Sequence, residues 1–517
     1  MSTTTEIPTQ SSTETGNATS QEPDHSRRGF LKGAGLLAGA SAGQILTGCT
    51  QAEQGRTETD LLSSLSKPDG RAIVIRDAIV LSMDSQVGDF EKADILVQGK
   101  EIVSVGPMLQ APADAITVNA AGMIVTPGFI DTHHHQYEAI LRSTLADGVI
   151  PANAPDSASE VNYVSLIQRT FTPLYTPEEA RISELISSLN QINAGVTTTI
   201  DTSQVQLTPE HTEACIAGLK EAGHRAVFAY WPISKTDDAE LAATYSRLRE
   251  QHFSSGDQLL TLATQLRINA NQWRIAKGME IPIVTHIVGT AFGDLELMAN
   301  ENLMGPDNEY IHCTLLGETM WKRIADTGGK VSIAPAIEMQ MQHGLPPLQE
   351  AIDHGVRPAL SVDVECSMAA DLFTGMRAAF ALQRAMANER IIKGDADAPA
   401  LMSCRDALEF ATVNGARVAH LDSRIGSITP GKEADLVFLA TNRINTFPLN
   451  NVPGAIVTLM DTSNVEHVLI AGKVVKWRGQ LVNVDLDRLW QQAQAASDAI
   501  LARASYKRDL FGSCCGH

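Results

Sequence analysis

The chain is poor in cysteine, in aromatic residues and in positive charge. Seven cysteines among 517 residues cannot staple a fold of this length. No pair has zinc-finger spacing, and the H-x-E…P-C-x-x-C pattern that holds zinc in one class of base deaminases is missing. Cys215, Cys313, Cys366 and Cys404 are scattered and read as buried or bystander thiols, while Cys514-Cys515 end the chain. Sixty acidic residues against 40 basic ones leave a formal charge of -20. That balance argues against a phosphate backbone as partner. Beyond the leader no apolar run approaches the length of a membrane span, so the body is expected to be soluble. No repeat at solenoid periods is evident.

The N-terminal segment is present but is not fold. Residues 2–25 are mostly Ser, Thr, Glu and Gln, a composition that cannot build a core. Then comes "SRRGFLKGAGLLAGASAGQILTGC". Arg27-Arg28 stand in S-R-R-x-F-L-K, as in a twin-arginine export signal, and the apolar run Gly33 to Leu46 is too short to span a bilayer. "LTGC" resembles a bacterial lipobox, which makes Cys49 the lipidated residue. "ASA" at Ala40–Ala42 is the competing cleavage site. These readings predict export by the twin-arginine route. They also predict a lipid anchor on the outer side of a bacterial cytoplasmic membrane, that anchor being the only membrane contact.

The rest alternates. From Arg71 the runs "RAIVIRDAIVLSM" and "ADILVQGKEIVSVG" are Val/Ile-rich and punctuated by glycine, and the style returns in "GKEADLVFLAT" and "VEHVLIAGKVVKWRG". Both ends read as strands that can pair into one β-domain. Between them, "TPEEARISELISSLNQINAG" reads as a helix opened by Thr176 and followed by Gly195. Leu372, Met376 and Phe380 mark a core-facing helix face. The β runs "VTTTID", "RAVFAYW", "IPIVTH", "EYIHC", "KVSIAP" and "RPALSVD" recur among helices. About eight such runs over roughly 300 residues suit an α/β fold of the (β/α)8 type.

Barrel enzymes place their chemistry where strands end. "MIVTPGFIDT" is followed by His133, His134 and His135, "IPIVT" by His286, "EYI" by His312, and "RPALSV" by Asp363. On an extended segment residues i and i+2 share a face, so His133 and His135 can meet one ion while His134 faces the outer wall. Imidazoles and one carboxylate at strand ends form a candidate metal set. His211, His224, His252, His354 and His467 stand in helical or connecting stretches and read as surface residues.

"VTPGFIDTHHH" resembles the PGFxDxHxH motif of the amidohydrolase superfamily. "GVTTTID", "ATVNGARVAHLD", "IGSITPGKEADLVFL" and "VLIAGKVV" are similar to its later landmarks, in order. The branch it resembles includes methylthioadenosine/adenosylhomocysteine deaminases, guanine deaminases and triazine hydrolases. The resemblance implies a distorted (β/α)8 barrel with a small β-sandwich built from both ends. The boundaries are then 1–49 for leader and lipobox and 50–69 for a linker. The sandwich takes 70–124 with 422–485, the barrel 125–421, and a C-terminal helix and tail 486–517. It implies His133, His135, His286 and Asp363 as ligands, Asp363 also as the base, and His312 as the group that polarises substrate or orients water. It implies one divalent ion, zinc ahead of iron, because the expected fourth strand, "RAVFAYW", lacks the lysine that bridges two metals. Such an ion lowers the pKa of water from about 15.7 toward roughly 7. A small-molecule substrate and a homodimer are family-level expectations.

One landmark is missing. The branch carries H-x-x-E at strand five, and here the residue three after His286 is Gly289. Glu338 is a candidate replacement acid with His343 beside it as a substrate contact. Glu365 is a second candidate, by alternation from Asp363, and a substrate that needs no extra acid is the third solution. Gln136 is a further candidate substrate contact, and Arg142 a candidate for the mouth. The expected activity is hydrolysis of a non-peptide C–N bond in a small cyclic amine or amide. Amidase, esterase or decarboxylase chemistry is the alternative, and a metal-retaining surface binding protein the alternative of another class.

Overall fold

Apolar and β-branched runs become eight parallel strands, nearly all buried on both faces, as a sheet covered by helices requires. The computed structural model describes residues 70–152, 155, 161–233 and 237–511. The leader with Arg27-Arg28, Cys49, the linker and Cys514-Cys515 lie outside the described residues. The strands are β1 (Phe129–His134), β2 (Val196–Asp201), β3 (Arg225–Tyr230), β4 (Leu260–Gln265), β5 (Ile283–Val288), β6 (Asn308–Thr314), β7 (Lys330–Ile333) and β8 (Ala359–Leu360). They pair in chain order. The seam between β8 and β1 closes through backbone bonds at the candidate ligands. Asp363 N donates to His133 O at 2.9 Å, and His135 N donates to Asp363 O at 2.8 Å. Ile130, Ile200, Val227, Val284, Ile311 and Ala359 pack as one cluster, so the barrel is filled below the strand ends.

"RAVFAYW" is the third strand, not the fourth. The fourth is "LTLATQ", in which threonine and alanine alternate with leucine too weakly for its apolar pattern to stand out. It also lacks a lysine.

The helix Pro177–Asn193 starts at a capping box. Glu179 N donates to Thr176 Oγ1 while Thr176 N donates to the Glu179 carboxylate, which satisfies two orphan amides. It ends before Gly195, whose φ is +83°. Its buried face, with Ile182, Leu185, Ile186 and Leu189, packs toward the barrel.

The two chain ends form one sheet of nine strands. The join is Leu436–Ala440 running antiparallel to Met123–Pro127. Gly128 then carries the chain into β1, where an added Cβ would lie 2.0 Å from Thr197 Oγ1, so only glycine fits the crossing. Arg225 of β3 ties the barrel to this sheet. It is fully buried and donates to Asp435 at 2.7 and 2.9 Å and to Glu433 at 2.6 Å. Among the described residues no helix is long and apolar enough to cross a membrane. His211, His224 and His467 are buried rather than at the surface. His211 and His224 each bond a backbone carbonyl and His467 stacks on Trp477 at 3.9 Å; neutral imidazoles of this kind behave as core residues.

Candidate metal centre

Three backbone irregularities bring the site together. A bulge in β1 between Asp131 and His134 resets the alternation. His133 and His135 then face inward while Asp131 and His134 face the helix Pro177–Asn193. In β6 the register shifts at His312, where His312 and Cys313 have φ of +68° and +55°. Ile311 already faces the interior, and the break lets His312 do so too. Past β8, Asp363 has φ +75°. Non-glycine residues held in this region store strain and cluster at working sites.

The ligand atoms of His133, His135 and Asp363 lie within 4.8 Å of one another, and so do those of His133, His286 and His312. Asp363 Oδ1 is 2.9 Å from His133 Nε2 and 3.5 Å from His135 Nε2, and Asp363 Oδ2 is 3.8 Å from His312 Nε2. Each Nδ1 is engaged from behind. His135 Nδ1 donates to Thr202 O at 2.9 Å. His133 Nδ1 is 3.0 Å from Thr202 Oγ1, whose own proton we assign to the His134 carbonyl, also at 3.0 Å. His312 Nδ1 donates to Glu338 at 3.1 Å. His286 Nδ1 is 3.1 Å from the Gln265 amide nitrogen, and Gln265 Oε1 is buried without a partner. Turning that amide over gives Oε1 the Nδ1 proton. Every Nε2 lone pair is then free and convergent, the arrangement that outer partners impose on ligating imidazoles.

The protonation states match. Burial, with the neighbouring imidazoles, holds His135 down to about 3 and His286 well below its ordinary value. His133 is lowered by burial too. Burial opposes ionisation of Asp363, but the imidazoles around it, His133 first, outweigh burial and depress its pKa. Neutral imidazoles beside an ionised carboxylate are the forms that bind a divalent ion. The residues present therefore fit one metal ion held by His133, His135, His286 and Asp363, with His312 alongside.

His134 belongs to the wall. Its Nδ1 lies 2.7 Å from Asp131 and its Nε2 3.2 Å from Glu365. Burial opposes its charge, but these carboxylates outweigh burial and push it up to about 10.

Four sequence expectations change. Glu338 is fully buried behind His312, taking the His312 and Ala334 N–H groups on Oε1. It does not line the cleft and positions His312 rather than touching substrate. Glu365 points to the wall, bonded to His134, Ser187 and Arg142, because the left-handed turn at Asp363 breaks the two-residue period. That ion pair also takes Arg142 out of the cleft lining. Gln136 begins a tight turn after β1, and its amide donates to Ser188 at 2.6 Å, away from the cleft. His343 does line the cleft. It is buried, its ring stands 4.8 Å from that of His312, and neither of its nitrogens has a partner.

The cleft over the site has a volume of about 560 Å³. Tyr163, missed in the sequence reading, lines it and donates to the buried Glu138. Thr202 and Gln265 were missed as well, since no local pattern distinguishes a threonine or glutamine that backs a histidine.

A family model described as "Amidohydrolase family" matches residues 124–266 and 295–475. A 5'-deoxyadenosine deaminase of Methanosarcina mazei is 22% identical over 462 residues, covering 84% of this chain and 99% of that protein. A 5-methylthioadenosine/S-adenosylhomocysteine deaminase of Desulforudis audaxviator is 24% identical over 457 residues, covering 83% and 99%. Among solved structures, an adenosine deaminase from Xanthomonas campestris with bound zinc superposes with a TM-score of 0.71 at 23% identity, covering 84% of this chain and 100% of that one. Atrazine chlorohydrolase from Arthrobacter aurescens, complexed with zinc, gives 0.73 at 18%, covering 82% and 100%.

Proposed function

Because the chain belongs to the amidohydrolase family, we propose that it is a metal-dependent hydrolase of non-peptide C–N bonds in a small cyclic amine or amide. The observation that carries this is the convergence of four imidazole Nε2 atoms on the Asp363 carboxylate at the ends of barrel strands. A divalent ion bound there supplies Lewis acidity, which makes water a competent nucleophile near neutral pH. The chain's own residues then divide the work. Asp363 takes a proton from the attacking water and returns it to the leaving nitrogen. His312, held through Nδ1 by Glu338, presents Nε2 to the atom on which negative charge develops. The zinc named in the two structural neighbours supports zinc as the ion.

The test is metal analysis together with turnover. Purified protein should hold close to one ion per chain by ICP-MS and lose activity on chelation. Aminopurines, triazines, N-acyl compounds and aryl carboxylates, read by mass change, separate C–N hydrolysis from ester hydrolysis and decarboxylation. If wild type and Asp363→Asn are equally inert on that panel and both retain metal, the chain is a binding protein. We also infer export and lipid anchoring through Arg27-Arg28 and Cys49, supported by the S-R-R-x-F-L-K and L-T-G-C patterns. Arg27→Lys with Arg28→Lys should leave folded enzyme in the cytoplasm, and Cys49→Ala should release it from the membrane still active.

A further inference from the structure

Among the described residues lining the cleft, Asp363 is the only carboxylate. Two other acids that the sequence brings close, Glu338 and Glu365, are spent on His312 and on His134 with Arg142. Gly289, at the end of β5, has φ +49° and no side chain to offer. This matters chemically. When water attacks a ring carbon bearing an amino group, the C=N electron pair moves onto the ring nitrogen, which must take a proton from an acid beside it. When water attacks a carbonyl, the pair moves onto oxygen, and hydrogen-bond donors or a cation suffice.

The cleft offers such a donor. His343 is 1% exposed, and both its nitrogens are unpartnered. The backbone is shaped to present it, with Gln342 at φ +62° and Gly344 at φ +115° on either side. The loop is pinned where Ile150 N donates to Met341 O at 2.8 Å. A buried imidazole with no partner in the protein is incomplete, and this one faces the only chemistry nearby.

Resting on the hydrolase reading above, we infer that His343 makes the polar contact with bound substrate and that the scissile C–N bond belongs to a carbonyl group, as in a lactam, a cyclic imide or an N-acyl amine. Water adds to the carbonyl carbon, the C–O bond forms and the C–N bond breaks. The proton removed by Asp363 passes to the departing nitrogen, giving a carboxylic acid and an amine.

The experiment uses metal-replete enzyme on two panels. One holds hydantoin, glutarimide and N-acetylaniline; the other holds adenosine, guanine and melamine. Turnover on the first panel should exceed that on the second. His343→Ala should lower kcat/KM on the best carbonyl substrate by about tenfold and weaken binding of its product in calorimetry. His343→Gln, which keeps a donor and an acceptor, should recover part of both. Metal content and Tm should not move in either variant. Faster turnover of the amino-heterocycles, or unchanged kinetics and product binding in His343→Ala, overturns the inference while leaving the hydrolase reading standing. No turnover on either panel overturns the hydrolase reading and this inference with it.

Discussion

Replacing Thr202 by valine tests how the ligand His133 is prepared. Valine keeps the branched shape, so no cavity opens. The backbone carbonyl that accepts from His135 Nδ1 stays. The His134 carbonyl also keeps a partner, because Thr202 N donates to it at 2.8 Å. What is lost is the hydroxyl 3.0 Å from His133 Nδ1. His133 and Thr202 are fully buried, so water does not replace it. A buried donor left unpaired costs about 1–3 kcal/mol. Loss of a ligand's outer partner lowers metal affinity by about 10–100-fold, which at about 1.4 kcal/mol per factor of ten is the same range. Without metal, His133 can move its proton to Nε2 and donate to Asp363 at 2.9 Å, so the metal-free fold should barely notice. The expected result is a 10- to 100-fold weaker zinc affinity in chelator competition, with metal-free Tm within about 2 °C of wild type. Equal zinc affinity, or a metal-free protein destabilised as much as the loaded one, would refute this account of the hydroxyl.

Glu338→Gln should lower kcat about tenfold or more with KM nearly unchanged, since Glu338 touches His312 and not the cleft. Burial opposes the charge on His312 while Glu338 and Asp363 favour it. Removing the Glu338 charge should therefore move the basic limb of the pH–rate profile to lower pH, and an unmoved limb would speak against the pairing. Arg225→Leu should destabilise the fold by about 3–5 kcal/mol in denaturant titration, because it strands the buried Asp435 and Glu433; a loss under about 1 kcal/mol would show that these acids have other sufficient partners. Glu138 is pushed up to about 8 by burial. The folded state keeps a proton that the unfolded state releases near 4.5, so stability should fall as pH rises from about 4.5 through about 8. Glu138→Gln should flatten that part of the profile, and equal slopes in the two proteins would assign the loss elsewhere.

The sequence alone determined the eight-strand count, the pairing of the two ends, the opening of the helix at Thr176 and the residue types at the site. Each of these is written in local signals: Val/Ile runs, a capping box, and histidines placed directly after strands. It also determined that His133 and His135 share a face, because that needs only an extended segment. It misnumbered β4, whose threonines hide it, and it misread His224 and His467, since burial depends on what packs over a residue. The tertiary structure alone decided which acids work at the centre. A left-handed Asp363 turned Glu365 to the wall, and the short helix Pro335–Gln340 set Glu338 behind His312 rather than over the cleft. A left-handed residue or a bulge reverses the direction of every side chain after it. Such reversals are stabilised by contacts from distant strands, so no window of local sequence contains their cause.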